Sequence, residues 1–81
     1  MEPEPTYILV QCDMGSESDI VSAISDMPQV VEVRGTYGTF DIFCKVVAGH
    51  KETESVLGRI RRIPHVRSTN TLRPILSQGG R

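Results

Sequence analysis

Apolar positions along this chain follow two rhythms, and they alternate. "TYILVQC" (6–12) is an unbroken run of β-branched and apolar residues, which predicts a strand. "DMGSES" (13–18) then punctuates, with Ser16 suited to an N-cap and Asp19 to a first helical turn. Ile20, Val21, Ala23, Ile24 and Met27 recur at helical spacing, and Pro28 stops that helix. "VVEVRGT" (30–36) predicts a second strand, "TYGT" a turn in which Gly38 supplies positive φ, and "FDIFCKVVA" (40–48) a third strand. "GHKET" opens a second helix, with Val56, Leu57, Ile60 and Ile63 on one face and Pro64 at its end. Gly58 inside that helix costs about 1 kcal/mol relative to Ala, which leads us to expect a close packing contact there. "VRSTNTLRPIL" (66–76) predicts a fourth strand, with Pro74 marking an edge or an exit.

The order is therefore β-α-β-β-α-β, and it contains a duplication. "ISDMPQV" begins at Ile24 and "IRRIPHV" at Ile60, both following Ile-x-x-(Met/Ile)-Pro-x-Val. Each Pro closes a helix and each Val opens a strand. The fold class expected is α+β: a ferredoxin-like βαββαβ plait, a four-stranded antiparallel sheet with two helices on one face.

Two helices cover only one face of such a sheet. Alternate strand residues point to opposite faces, so one parity is Ile8, Val10, Cys12 and the other Tyr7, Leu9, Gln11. In the third strand the parities are Phe40, Ile42, Cys44, Val46 and Asp41, Phe43, Lys45, Val47. Both faces are largely apolar, whereas a solvated face reads more polar. Tyr7, Leu9, Phe43 and Val47 would form an exposed apolar patch, which points to a homodimer joined sheet to sheet. The alternative is a monomer whose long side chains cover the same patch.

Composition narrows the picture. Eighty-one residues make one domain, near the lower limit for burying a useful core. No apolar run approaches a membrane span, and "MEPEPT" is acidic and Pro-rich rather than a signal peptide, so a cytoplasmic location is expected. Residues 1–5 are expected to be a disordered leader, 6–76 the domain and 77–81 a disordered tail. Net charge is −1, but residues 1–44 hold eight acids and one base while residues 45–81 hold eight bases and two acids. That split fits complementary halves or subunits as well as it fits a nucleic-acid footprint.

Candidate chemistry is sparse. Cys12 and Cys44 sit in apolar strand runs with no metal-ligand spacing and read as small buried hydrophobes. His50 and His65 are isolated, and no catalytic set, metal site, P-loop or dinucleotide fingerprint is present, so neither catalysis nor a cofactor is expected. Arg59, Arg61 and Arg62 complement the dipole at the end of the second helix. Two polar stretches stand out: "YGTFD" at the hairpin tip and "STNT" (68–71) on the last strand. Backbone amides, hydroxyls and the Asp41 carboxylate together suit a small zwitterion. Turn chemistry and β-propensity account for the same residues without a ligand.

Taken together, "YILVQC", the "MPQV" junction, "GTFDIFCKV" and "IRRIPHVRSTNTL" resemble the ligand-sensing RAM domain of the Lrp/AsnC transcriptional regulators, over roughly residues 6–76. The resemblance implies a βαββαβ dimer, often extended to an octamer of four dimers, with amino-acid effectors bound between dimers. Carried over by position, the candidate ligand contacts are Gly38, Thr39, Phe40, Asp41, Thr69 and Thr71. That family reads DNA through a separate N-terminal helix-turn-helix domain. The chain thus looks like a stand-alone sensor, with no direct DNA binding expected, that senses amino acids or co-assembles with a full-length regulator. Gln29 and His65 stand where the family usually has Gly, and Arg73-Pro74 interrupts the last strand.

Two rivals share the topology. "RGTYGTFDIF" faintly echoes the central strand of an RNA-recognition motif, but Thr36 and Thr39 must then be insertions, and each insertion flips the following side chains to the other face. A small dimeric ferredoxin-like enzyme is the other, although Trp is absent and neither His lies on a strand face.

Overall fold

The computed structural model describes residues 4–75. Its elements are β1 (Pro5–Cys12), α1 (Glu17–Ser25), β2 (Val30–Gly35), β3 (Ile42–Val47), α2 (His50–Arg61) and β4 (Val66–Leu72). The strands form one antiparallel sheet in the order β2-β3-β1-β4, so β1 and β3 are central. This is the ferredoxin-like plait expected from the pattern.

The alternation in the central strands decides what is buried. Ile8, Val10 and Cys12 of β1 and Ile42, Cys44 and Val46 of β3 join Ile20, Ile24 and Met27 of the first helical segment and Val56, Leu57 and Ile60 of α2 in a single core. The opposite parity, Tyr7, Leu9, Phe43, Lys45 and Val47, lies half-buried on the face away from the helices. There the Tyr7 and Phe43 rings stack with centroids 5.8 Å apart, a diagonal pair across the β1–β3 ladder. The four residues expected at a dimer interface thus share one outward face.

Several local expectations need correction. Ser16 precedes α1 but makes no side-chain cap bond, because its own backbone is already near the helical region (φ −100°, ψ −2°). A Cβ at Gly58 would meet only the end of the Arg62 side chain, at 3.8 Å, so no close packing explains that glycine. The strand expected at 40–48 spans Ile42–Val47, since Phe40 and Asp41 still belong to the loop. The strand expected at 66–76 ends at Leu72, before Arg73-Pro74 removes the next donor. Pro5, assigned to the leader, is the first residue of β1 and pairs with Val47. The remainder of the leader before Glu4, and the tail at 77–81, lie outside the described residues.

The sequence duplication becomes a structural one in detail. Each Pro occupies the second position of a β-turn, closed by Val30 N–H to Met27 O (3.0 Å) in one copy and by Val66 N–H to Ile63 O (3.2 Å) in the other. The residue after each Pro uses its carbonyl to anchor the end of a central strand. Gln29 O accepts from Val47 N–H and His65 O from Asp13 N–H, both at 3.0 Å. One residue later each strand carries a bulge, which leaves Val31 of β2 and Arg67 of β4 outside the pairing register.

The copies differ in the turn itself. His65 has φ +76°, the positive third position of a type II turn, whereas Gln29 keeps negative φ. His65 there meets Asp13, with Nδ1 3.1 Å from the carboxylate. A side chain in that region costs roughly 1–2 kcal/mol. We expect His65→Val, which adds a β-branch, to lower stability by about 1–2 kcal/mol in urea unfolding, and His65→Gly to leave it equal or higher.

Cys12 and Cys44 are free and buried. Burial holds the Cys44 thiol neutral, pushing its pKa from 9.0 up to about 12. The unfolded chain ionises near 9.0 while the folded one resists, so this contribution is intact below pH 9 and is lost as pH rises toward 12. The melting temperature should therefore fall above pH 9, and Cys44→Ala should flatten that fall while lowering the plateau.

Candidate functional site

The β2–β3 connection folds back onto the end of β1. Thr36 N–H donates to Asp41 O at 2.8 Å and the Thr36 hydroxyl to Phe40 O at 2.7 Å, which closes the loop on itself. Gly38 turns it at φ +111°, where other residues are strained. The loop is then tied to β1 twice: Asp41 N–H donates to Val10 O, and Cys12 N–H donates to the Asp41 carboxylate, both at 2.9 Å. The carboxylate is therefore fixed through one oxygen, with further acceptor capacity left over.

Gln11 joins the two polar stretches that stood out in the sequence. Its side-chain amide donates to Thr39 O at 2.9 Å, and its side-chain carbonyl accepts from the Ser68 hydroxyl at 2.6 Å. This works because β1 lies between β3 and β4, and because Gln11 is paired directly with Ser68. The bulge at Arg67 completes the arrangement. Gln11, Cys12, Asp41, Arg67 and Ser68 line a cleft of about 500 Å³ at this end of the sheet. Arg67 is only loosely held, with Nε 3.8 Å from Asp13.

The expected contacts separate into two groups. Gly38, Thr39, Phe40 and Asp41 lie at or beside this cleft, and among the described residues no acceptor takes the backbone N–H of Gly38, Thr39 or Phe40. Thr69 and Thr71 do not share it. They pair with Val10 and Ile8, whose side chains face the helices, and the Thr69 hydroxyl accepts from Arg61 Nε of α2 at 3.1 Å. In their place the structure brings Ser68, Gln11 and Arg67. Gln11 was legible as the only polar residue in its alternating parity; Arg67 was not, because its position depends on the bulge.

The cleft holds groups that hydrogen-bond and carry charge. It sets a carboxylate, a guanidinium, a hydroxyl and a carboxamide around one open volume, and among the described residues no three His, Cys, Asp or Glu side chains gather to hold a metal. None of the described helices is long and apolar enough to cross a membrane.

Comparison with known proteins gives this geometry a context. A model of the Lrp/AsnC ligand binding domain matches residues 6–75. The HTH-type transcriptional regulator FL11 of Pyrococcus horikoshii is 33% identical over 67 residues, which cover 82% of this chain and 44% of FL11. The chain thus spans less than half the length of that relative. The crystal structure of FFRP-DM1 superposes with a TM-score of 0.81 at 27% identity, covering 93% of this chain and 100% of that one. The transcriptional regulator NMB0573 of Neisseria meningitidis, solved as an L-Met complex, shares the fold with a TM-score of 0.77 at 13% identity, covering 93% of this chain and 51% of that one. By its pattern, its fold and a match running from Thr6 to Ile75, the chain belongs to the Lrp/AsnC ligand-binding domain family.

Proposed function

We propose that this domain binds a free amino acid in the cleft between the Gly38–Asp41 loop and the start of β4, and that it serves transcription regulation as an effector-binding and assembly module. The observation that carries the reading is the placement of Asp41 and Arg67 on one cleft, bridged by the Thr39–Gln11–Ser68 hydrogen bonds. Asp41 would take the ammonium. Arg67, the Ser68 hydroxyl and the free loop amides would take the carboxylate. The L-Met bound by NMB0573 supports the ligand class without naming the amino acid for this chain.

The outward face would carry assembly. Tyr7, Leu9, Phe43 and Val47 would pair with the same residues of a second copy, sheet against sheet, leaving both helical layers outside. Growth to an octamer of four dimers, or co-assembly with a full-length regulator, would bring further chains to the cleft.

A thermal-shift screen of the twenty amino acids tests the ligand. A binder at 100 times its dissociation constant should stabilise by about 2.7 kcal/mol, a rise on the order of 10 °C for a domain this small. Asp41→Asn keeps an acceptor for Cys12 N–H but removes the charge, so it should retain the fold and lose the shift. If no amino acid raises the melting temperature, the sensor reading fails. Light scattering at micromolar concentration should show a dimer or a multiple of it, and Leu9→Glu should reduce it to folded monomer. A wild-type monomer would end the sheet-to-sheet model.

A further inference from the structure

A second cleft, of about 310 Å³, lies at the opposite end of the sheet, lined by Thr6, Thr53, Gly49, His50, Arg73 and Glu4 among others. Thr6 to Cys12 is six strand steps, so roughly 20 Å separates it from the Asp41 cleft. We propose that this second cleft is an anion site, taking a small molecule through a phosphate or carboxylate group, independent of the amino-acid site.

The N-terminus of α2 forms one wall of the cleft. Gly49 is the N-cap and carries no capping side chain. The first helical bond runs from Thr53 N–H to Gly49 O at 2.9 Å, so the N–H groups of His50, Lys51 and Glu52 have no partner within the helix. Such a terminus favours negative charge.

Another wall comes from β1. Thr6 is only 4% exposed, lines this cleft, and its hydroxyl forms no hydrogen bond among the described residues. The hydroxyl is not sealed off, so its unused donor and acceptor capacity is open to the cleft. Thr53, 2% exposed, lines the cleft as well; its hydroxyl makes only a long bond, 3.3 Å, to Ala48 O. Two nearly buried threonines thus line one cavity beneath an uncapped helix.

Charge decides the ligand class. Arg73 contributes a guanidinium, drawn weakly to Glu54 at 3.7 Å, and His50 an imidazole. Against these stands Glu4, an exposed carboxylate lining the same cleft. An anion bound here would be opposed by Glu4, whereas a zwitterion would be helped by it. The donors outnumber that single acid, so the anion reading makes Glu4 a brake on affinity.

Because Thr6 pairs with Val46 on the helix side of the sheet, pairing of two copies through the outer face leaves the cleft open. The site is thus available to a dimer as well as to a monomer.

The test is an amide-resolved NMR titration of the full chain with inorganic phosphate and, separately, acetate, at constant ionic strength. Saturable shifts should appear at Thr6, His50, Lys51 and Thr53. Thr6→Val should weaken binding about five-fold, the loss of one hydrogen bond, and Glu4→Gln should tighten it. Phosphate and acetate distinguish the two oxyanion sources by relative affinity. No saturable shift with either anion, or affinity unchanged in Thr6→Val, overturns the proposal. Weaker binding in Glu4→Gln also overturns it, in favour of a zwitterion. Shifts at Gly38 to Asp41 report the other cleft separately, so failure at one end leaves the other judged on its own.

Discussion

Everything in this domain hangs on β1 being hydrogen-bonded along both edges. A strand paired on both sides has no freedom of register, and a one-residue slip would turn Ile8, Val10 and Cys12 to the outside and Tyr7, Leu9 and Gln11 into the core. That slip would place a carboxamide among Ile20, Ile24 and Ile60 with nothing to bond it, so the register is strongly specified. Both clefts inherit this rigidity. One is built at the last residues of β1, with walls from Asp41 and the start of β4, and the other at its first, with walls from the N-terminus of α2 and the residues after β4.

The duplicated Ile-x-x-(Met/Ile)-Pro-x-Val stretch explains how a short chain makes these ends alike yet chemically different. Both copies make a Pro-led turn, both present a carbonyl to the end of a central strand, and both are followed by a bulge. The residue in the bulge is where they part. In the first copy it is Val31, 57% exposed; in the second it is Arg67, beside Asp41. One backbone device, used twice, thus displays an apolar side chain on one edge strand and a cation on the other. His65 shows the same divergence in the turn itself, holding a positive φ that Gln29 avoids while its ring meets Asp13.

The sequence carried the architecture clearly because architecture here is a matter of period. Helical and alternating spacing, two prolines and one glycine turn were enough to order six elements and to sort the central strands into their two faces. The site was legible only in part. The Gly38–Asp41 loop could be read from its turn chemistry, since only a tight, positive-φ connection suits that spacing. Thr69 and Thr71 share a parity, but parity does not say which face it is; pairing with Val10 and Ile8 turns them toward the helices. Arg67 was hidden for a related reason. Counting alternate residues assigns it a face, and a bulge, which has no composition of its own, cancels the count.

On the proposed reading, Gln11 would link ligand recognition and assembly through a single strand. It follows Tyr7 and Leu9 in the same outward parity, so the residue that bridges Thr39 and Ser68 is the next one along the face expected to meet a second copy. A ligand that changes how Gln11 is held changes the edge of that face. Any such coupling is reciprocal: a partner that covers the face would alter affinity for the ligand by the factor by which the ligand alters pairing. The second cleft lacks this connection, since Thr6 and Thr53 lie on the helix side of the sheet. Of the two ends of β1, only the one at Gln11 would then couple what is bound to what is assembled.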